Sequence, residues 1–134
     1  MKIKTSELTG DNLGYAVALI EYPEWKEQGY LESVHDLYFD DGEHYAPWEN
    51  WAQGGPIIDR EDIAISPAPD GLCSAYKSDG TTRWLTKGGP TPTSGVEVFN
   101  WTYKQQGYHP LIAAMRCYVA SKLGDEIDLP EELT

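Results

Sequence analysis

From residue 13 onward, Leu13, Ala16, Val17 and Ile20 recur three and four residues apart, the spacing of one helical face. Thr9 precedes them as an N-cap, with Asp11 and Asn12 in the first turn, and Pro23 stands just beyond Tyr22. These features predict a helix over 11–22. Residues 23–34, PEWKEQGYLESV, hold no clean period and read as a loop or a short irregular helix. HDLYF at 35–39 reads as a short strand, closed by the turn signal Asp40, Asp41 and Gly42. Helical spacing returns at Trp48, Trp51, Ala52, Ile57 and Ile58, predicting a second helix near 48–61. Gly54, Gly55 and Pro56 interrupt it. Proline fits best at the first helical position, so a break or restart is expected near Gly55, with a short helix over 56–61 carrying Asp59 and Arg60.

The period then changes. DIAIS at 62–66, LCSAYK at 72–77 and TTRWLT at 81–86 read as strands, separated by a Pro-rich turn and by Ser78, Asp79 and Gly80, a hairpin signal. KGGPTPTSG at 87–95 is a Gly/Pro/Thr loop, and VEVFNWTY at 96–103 alternates as a strand does. The last element is a helix over 109–123. Pro110 follows His109 at its start, and Ile112, Met115, Val119 and Leu123 share a face flanked by Leu111 and Tyr118. Lys122 lies in the last turn and Gly124 supplies the stop. The tail DEIDLPEELT is acidic and reads as extended. The expected fold is α+β: a mostly antiparallel sheet of about four strands covered by three helices, sandwich-like, in a single domain over 1–134. The strands from 62 to 86 form a meander with 96–103 beside it, and helices are expected on both faces.

MKIKTSELTG, WAQGGPIIDRE and HPLIAAMRCYVASKLGDEIDLPEEL resemble the NinX family, small proteins of tailed phages that infect enteric bacteria. The resemblance covers both ends and the centre, about half the chain. Residues 22–45 look longer and more irregular than in typical members. A looser similarity, resting on helix order and the segment AAMR, is to small α-β-α sandwich domains of phages. The resemblance implies a phage or prophage origin, expression in the cytoplasm of the host bacterium and an accessory role. It supplies no catalytic residues.

Composition narrows the function classes. A chain that is 40% hydrophobic and 12% aromatic has the material for a core, unlike a disordered segment. No apolar run is long enough to span a membrane, and MKIKTSELTG has no apolar stretch of a secretory signal. Cys73 and Cys117, far apart, read as reduced thiols of a cytosolic protein. Ten Lys and Arg stand against 22 Asp and Glu, a net charge of −12. Such a surface repels phosphate backbones, so direct nucleic-acid binding is not expected. The acid either presents itself to a basic partner, even imitating DNA, or keeps the protein soluble.

Five candidate features remain, each with a structural alternative. Trp48, Trp51, Gln53, Gly54, Gly55 and Arg60 form the first. Paired glycines at a helix start free backbone N–H groups for an anion, a Trp face stacks on a base, and Arg60 grips a phosphate or carboxylate. The alternative is a bent helix with core tryptophans and Arg60 paired to an acid. Arg116, beside the apolar face of the last helix, is a half-buried cation needing an acceptor, either a ligand or an internal acid. His35, His44 and His109, with the acids of HDLYFDDGEH, include metal-ligand types without an established zinc or EF-hand spacing, so no metal site is assigned. Cys73 and Cys117 sit in apolar patterns as packing residues, and there is no G-x-S-x-G elbow, so no catalytic residue is assigned. Trp84 and Trp101 flank the Gly/Pro loop, either as walls of a closing lid or packed on the sheet.

The resulting expectation is a non-enzymatic phage accessory protein without cofactor, which binds and sequesters a small anionic host-derived ligand, such as a nucleotide signal, against host defence. Its ligand-binding residues would be Trp48, Trp51, Gln53, Gly54, Gly55, Arg60, Trp84, Trp101 and Arg116. A homo-oligomer is compatible with this reading. The rival is an acidic interaction module that inhibits a basic host or phage protein, and an enzyme acting on a nucleotide comes third.

Overall fold

The last helix organises the molecule. A computed structural model describes residues 1–27, 39, 42–86 and 95–130. In chain order these form β1 (Lys2–Lys4), a 3-10 turn (Thr5–Glu7), α1 (Gly10–Glu21), α2 (Pro23–Glu27) and α3 (Trp51–Arg60). They continue as β2 (Ala64–Ser66), β3 (Cys73–Thr86), β4 (Gly95–Gly107), α4 (Pro110–Leu123) and β5 (Glu126–Asp128). The fold is α+β, and the strand pairs among the described residues are antiparallel.

Helix α4 starts and stops as its sequence requires. His109 caps it through Nδ1, which accepts from the Leu111 N–H at 3.1 Å, and Gly124 ends it at φ 93°. It is buried on more than the one face that its pattern suggests, because Leu111, Ala113, Ala114, Met115, Cys117, Tyr118, Val119 and Ala120 are all enclosed. A helix apolar nearly all round belongs between layers. The β2-β3-β4 meander packs on one side of α4, and α1 and α3 on others. Cys73 and Ala75 are buried on the sheet face toward the helix, where the Cys117 thiol lies 3.7 Å from the Tyr103 carbonyl. The opposite face carries Ser74, Tyr76, Lys104 and Gln106, half-buried or exposed. Among the described residues the helices cover one face of this sheet, where both were expected.

Helix α1 begins where Thr9 predicts, its N–H donating to Asn12 Oδ1 at 2.6 Å. Part of the irregular stretch after it becomes α2. Tyr22, Trp25, Phe39 and Tyr45 gather there into one ring cluster, Tyr22 stacked on Trp25 at 4.4 Å and Phe39 edge-on to Tyr45 at 5.5 Å. The expected strand at 35–39 lies outside the described residues except for Phe39. The turn after it is visible at its far end, where the Gly42 N–H donates to the Phe39 carbonyl at 2.9 Å.

Two expected interruptions do not occur. The helix over the Gly-Gly-Pro segment neither breaks nor restarts at Gly55; α3 runs unbroken with Pro56 inside it. The Ser78-Asp79-Gly80 signal does not reverse the chain. The strands expected at 72–77 and 81–86 are one strand, β3, with a register shift against β4 between Ser78 and Thr82. The local turn chemistry is nonetheless present. The Gly80 N–H donates to Ser78 Oγ at 3.0 Å, the Thr81 N–H donates to Asp79 Oδ1 at 2.9 Å, and Gly80 takes φ 98°. These bonds build a bulge in a continuing strand.

The sheet count also changes. Besides the three-stranded meander there is a two-stranded sheet in which β1 pairs with β5, Ile3 opposite Ile127. It ties Lys2–Lys4 to Glu126–Asp128. The Met1 amine lies 2.8 Å from Asp128 Oδ1, and the Leu129 N–H donates to the Met1 carbonyl at 2.9 Å.

Candidate functional site

The segment from Trp51 to Glu61 folds by satisfying itself. Asn50 caps α3, its Oδ1 accepting from the Ala52 N–H at 2.9 Å and its carbonyl from the N–H groups of Gln53 and Gly54 at 3.0 and 2.9 Å. Gln53 turns back as a clip. Its Oε1 accepts from the Ala46 N–H at 2.6 Å and its Nε2 donates to the His44 carbonyl at 2.8 Å. Trp48 is buried against the backbone of Gly14 and edge-on to His44 at 5.7 Å. Gly54 is needed for close approach, since a Cβ there would meet the Pro47 carbonyl oxygen and come within 2.7 Å of Leu111 Cδ2. Gly55 faces open space, and Trp51 is exposed, its ring tilted 6.1 Å from that of His109.

Arg60, at the end of α3, belongs to an internal network. Its Nη2 donates to Glu21 Oε2 at 2.7 Å and to the Tyr118 hydroxyl at 3.2 Å, and its Nε donates to Glu61 Oε2 at 3.0 Å. The Tyr118 hydroxyl in turn donates to Glu21 Oε2 at 2.7 Å. These contacts tie α3 to α1 and α4. Both carboxylates hold the guanidinium pKa above its ordinary value. Burial raises Glu61, but hydrogen bonds from Arg60 and Lys122 outweigh that and hold its carboxyl below the usual range. Tyr118 is raised, first by burial and then by its bond to Glu21. Lys77 and Lys122 also approach Glu61 Oε1, at 3.8 and 3.3 Å. Arg60, Glu61, Lys77 and Lys122, with Asp62, Asp79 and Tyr103, line a cleft of about 420 Å³, with carboxylates and cations interleaved.

Arg116 sits differently. Its Nε donates to the Leu8 carbonyl and an Nη to the Gln106 carbonyl, both at 2.7 Å. The acceptors are backbone oxygens, neither the ligand nor the acid that the sequence suggested. Burial lowers its pKa, while the carbonyls leave its unit charge uncompensated by any described carboxylate. It lines a cleft of about 600 Å³ with Ser6, Leu72, Lys104, Gln106 and Tyr108. Tyr108 is 80% exposed. Among the described residues, no Asp or Glu lines this cleft.

Trp84 and Trp101 lie elsewhere again, on the outer half of the β3–β4 ribbon. This half runs from the bulge to Thr86 and from Gly95 to Trp101, beyond the part packed on α4, and its described side chains are mostly exposed. Thr82 pairs with Phe99 and Trp84 with Glu97. Alternation therefore puts Trp84, Phe99 and Trp101 on one face, where Phe99 and Trp101 are 6.2 Å apart. Residues 87–94, the Gly/Pro loop read as a lid, lie outside the described residues, as do His35, Asp36, Asp40 and Asp41 of the histidine-acid stretch. Of the residues singled out in the sequence, Trp48, Gln53, Gly54 and Arg60 go into packing and ion pairing. Arg116, Trp51 and the ribbon tryptophans face three separate surroundings. Lys104, Gln106 and Tyr108 carry little signal in the sequence: a cation at an outward position of β4 and a tyrosine at its turn into α4. The buried Cys117 thiol is pushed up to about 12 by burial and remains a packing group.

The fold and its clefts define a class: a small antiparallel α+β protein whose polar surfaces are arranged around one enclosed helix. Within that class the chain belongs to the bacteriophage P22 NinX family, whose model matches residues 4–122. No curated protein matches the chain. Family membership places it among phage accessory proteins. No described helix is long and apolar enough to cross a membrane.

Proposed function

We propose that this phage protein binds a small anionic ligand, a nucleotide or a related phosphate ester, in the Arg116 cleft and sequesters it from the host without chemical change. One observation carries the reading. In a chain of net charge −12, Arg116 and Lys104 share a cleft lined by no described carboxylate. Arg116 is held in place by two carbonyls, so its remaining N–H donors are oriented before a ligand arrives, which lowers the ordering cost of binding. Lys104 adds a mobile second charge. The exposed Tyr108 ring offers a stacking surface beside them.

A panel of nucleotides tested for thermal stabilisation decides the matter. At a hundredfold excess over Kd, mass action gives about 2.7 kcal/mol of stabilisation, a shift of several degrees in Tm. Mass spectrometry of the ligand released by heat should recover it intact. Lys104→Glu, an exposed substitution, should weaken binding at least tenfold with the fold unchanged, and Arg116→Lys should do the same. No shift with any nucleotide abandons the reading, and recovery of altered ligand replaces sequestration with catalysis.

A second reading, an acidic module inhibiting a basic protein, is favoured by the distribution of charge. Residues 73–107 hold four of the ten basic and two of the 22 acidic side chains, so this segment is net +2 and the rest of the chain net −14. Under that reading a basic partner captured from host lysate is released as salt rises.

A further inference from the structure

We infer that the ligand of the Arg116 cleft is a short single-stranded oligonucleotide with a terminal phosphate, which extends from that cleft along the aromatic side chains of the ribbon. The inference rests on the reading of the cleft as a phosphate site and adds a second group of residues to it. The cleft and the aromatic part of the ribbon have separate linings, but Lys104 joins them. It lines the cleft beside Arg116, and its ammonium lies over the Tyr76 ring, 5.7 Å from the centroid. The register shift between Lys77 and Ser78 sets Trp101 opposite Ser78, and its ring is 6.5 Å from that of Tyr76. Phe99 follows, 6.2 Å from Trp101. Two cations are thus continued by a file of three rings, of which Trp101 and Phe99 are nearly half exposed.

Each part of that file has a counterpart in a nucleotide chain. Arg116 and Lys104 hold the terminal phosphate. Every base has a π-face, so rings along a sheet accept successive bases whatever their identity. The ring spacings of 6.2 and 6.5 Å are about twice the 3.4 Å rise per nucleotide of a stacked strand, the separation of neighbouring bases once their stack opens. A single nucleotide would leave Trp101 and Phe99 uncovered. Charge sets the direction and limits the length. Residues 78–101 hold Arg83 and Lys87 against Asp79 and Glu97 and are net zero, so the rings have no surplus of cations for further phosphates. Glu97 lies among Phe99 and Trp101 and repels a phosphate at that end. A chain of net charge −12 opposes a polyanion more strongly with every added nucleotide. The ligand therefore matches the file of rings in length, roughly three nucleotides.

Thymidine oligonucleotides with a 5′-phosphate, from one to about sixteen residues long, test this by quenching of Trp emission and by calorimetry. Affinity should rise about tenfold with each of the second and third residues and level off beyond them. Trp101→Ala and Phe99→Ala should each remove most of the gain between one residue and three. Leu85→Ala, on the other face of the ribbon, should remove none of it. Glu97→Gln should carry the rise on to longer chains. Circular dichroism and the thermal midpoint establish that the variants remain folded. A trinucleotide that binds no tighter than thymidine monophosphate overturns the inference and leaves the reading of the cleft in place. Absence of binding at every length overturns both. An affinity that climbs steadily to the longest chain overturns the inference in favour of general single-strand binding, and a gain indifferent to Trp101→Ala and Phe99→Ala removes the rings from the site.

Discussion

At the scale of single residues, the paired glycines of α3 have opposite meanings. Both look like helix weaknesses, since glycine costs a helix about 1 kcal/mol relative to alanine. At Gly55 an added Cβ meets nothing within 4 Å, so Gly55→Ala should stabilise the protein by up to about 1 kcal/mol. At Gly54 the Cβ would meet the Pro47 carbonyl and Leu111, and overpacking of that kind costs about 1–3 kcal/mol, more than the helical gain. Gly54→Ala should therefore destabilise. Urea denaturation of the two variants distinguishes them, and equal effects would show that close approach does not set the identity of Gly54. Sequence displayed both glycines equally, because the neighbours that distinguish them, the Pro47 carbonyl and Leu111, are brought against Gly54 only by the fold. Caps were more legible. Thr9 and Gly124 act within a turn of their own positions, where local chemistry suffices; the cap that His109 supplies, read only as the residue before Pro110, came from the structure. Arg116 was legible as a half-buried cation, but not its acceptors, since backbone carbonyls have no signature in sequence.

At the scale of elements, the strongest local signals were correct about bonding and wrong about direction. Ser78, Asp79 and Gly80 make the side-chain and left-handed contacts of a turn, yet β4 supplies a partner on both sides of them and the strand continues as a bulge. In α3, Pro56 is outweighed by three anchors: the Asn50 cap, the Gln53 clip and the Arg60 network. The β1–β5 pair went unread because three residues show no period and their partner is over a hundred positions away. The junction of α3, α1 and α4 yields a pH prediction. Glu61 titrates below its ordinary value near 4.5 in the folded protein. The stability it contributes is therefore complete above that value and is lost as pH falls through the lowered one. Glu61→Gln should flatten this acid limb of the stability–pH curve, seen by denaturation at successive pH values. At neutral pH it should cost about 1–2 kcal/mol, the lower part of the range for charged hydrogen bonds because Arg60 is half exposed. An unchanged acid limb would show that Glu61 is not its source.

At the scale of the whole molecule, the fold class could be read from period alone, while the layering could not. The switch from helical to alternating spacing and back again gives α+β, but α4 in the middle, with the sheet on one side and helices on others, depends on which of its faces meets which layer. The sheet joining β1 to β5 has a topological consequence. Since the Met1 amine and the Leu129 backbone touch, the path from Met1 to Leu129 is nearly a closed ring, and its starting point is arbitrary as far as packing is concerned. A circular permutant, with its old ends bridged by a few glycines and serines and new ones opened in the exposed turn at Asp70 and Gly71, should refold to the same far-ultraviolet spectrum and melt within a few degrees of the parent. Failure to refold would mean that the connectivity of these strands, and not merely their final adjacency, directs the assembly.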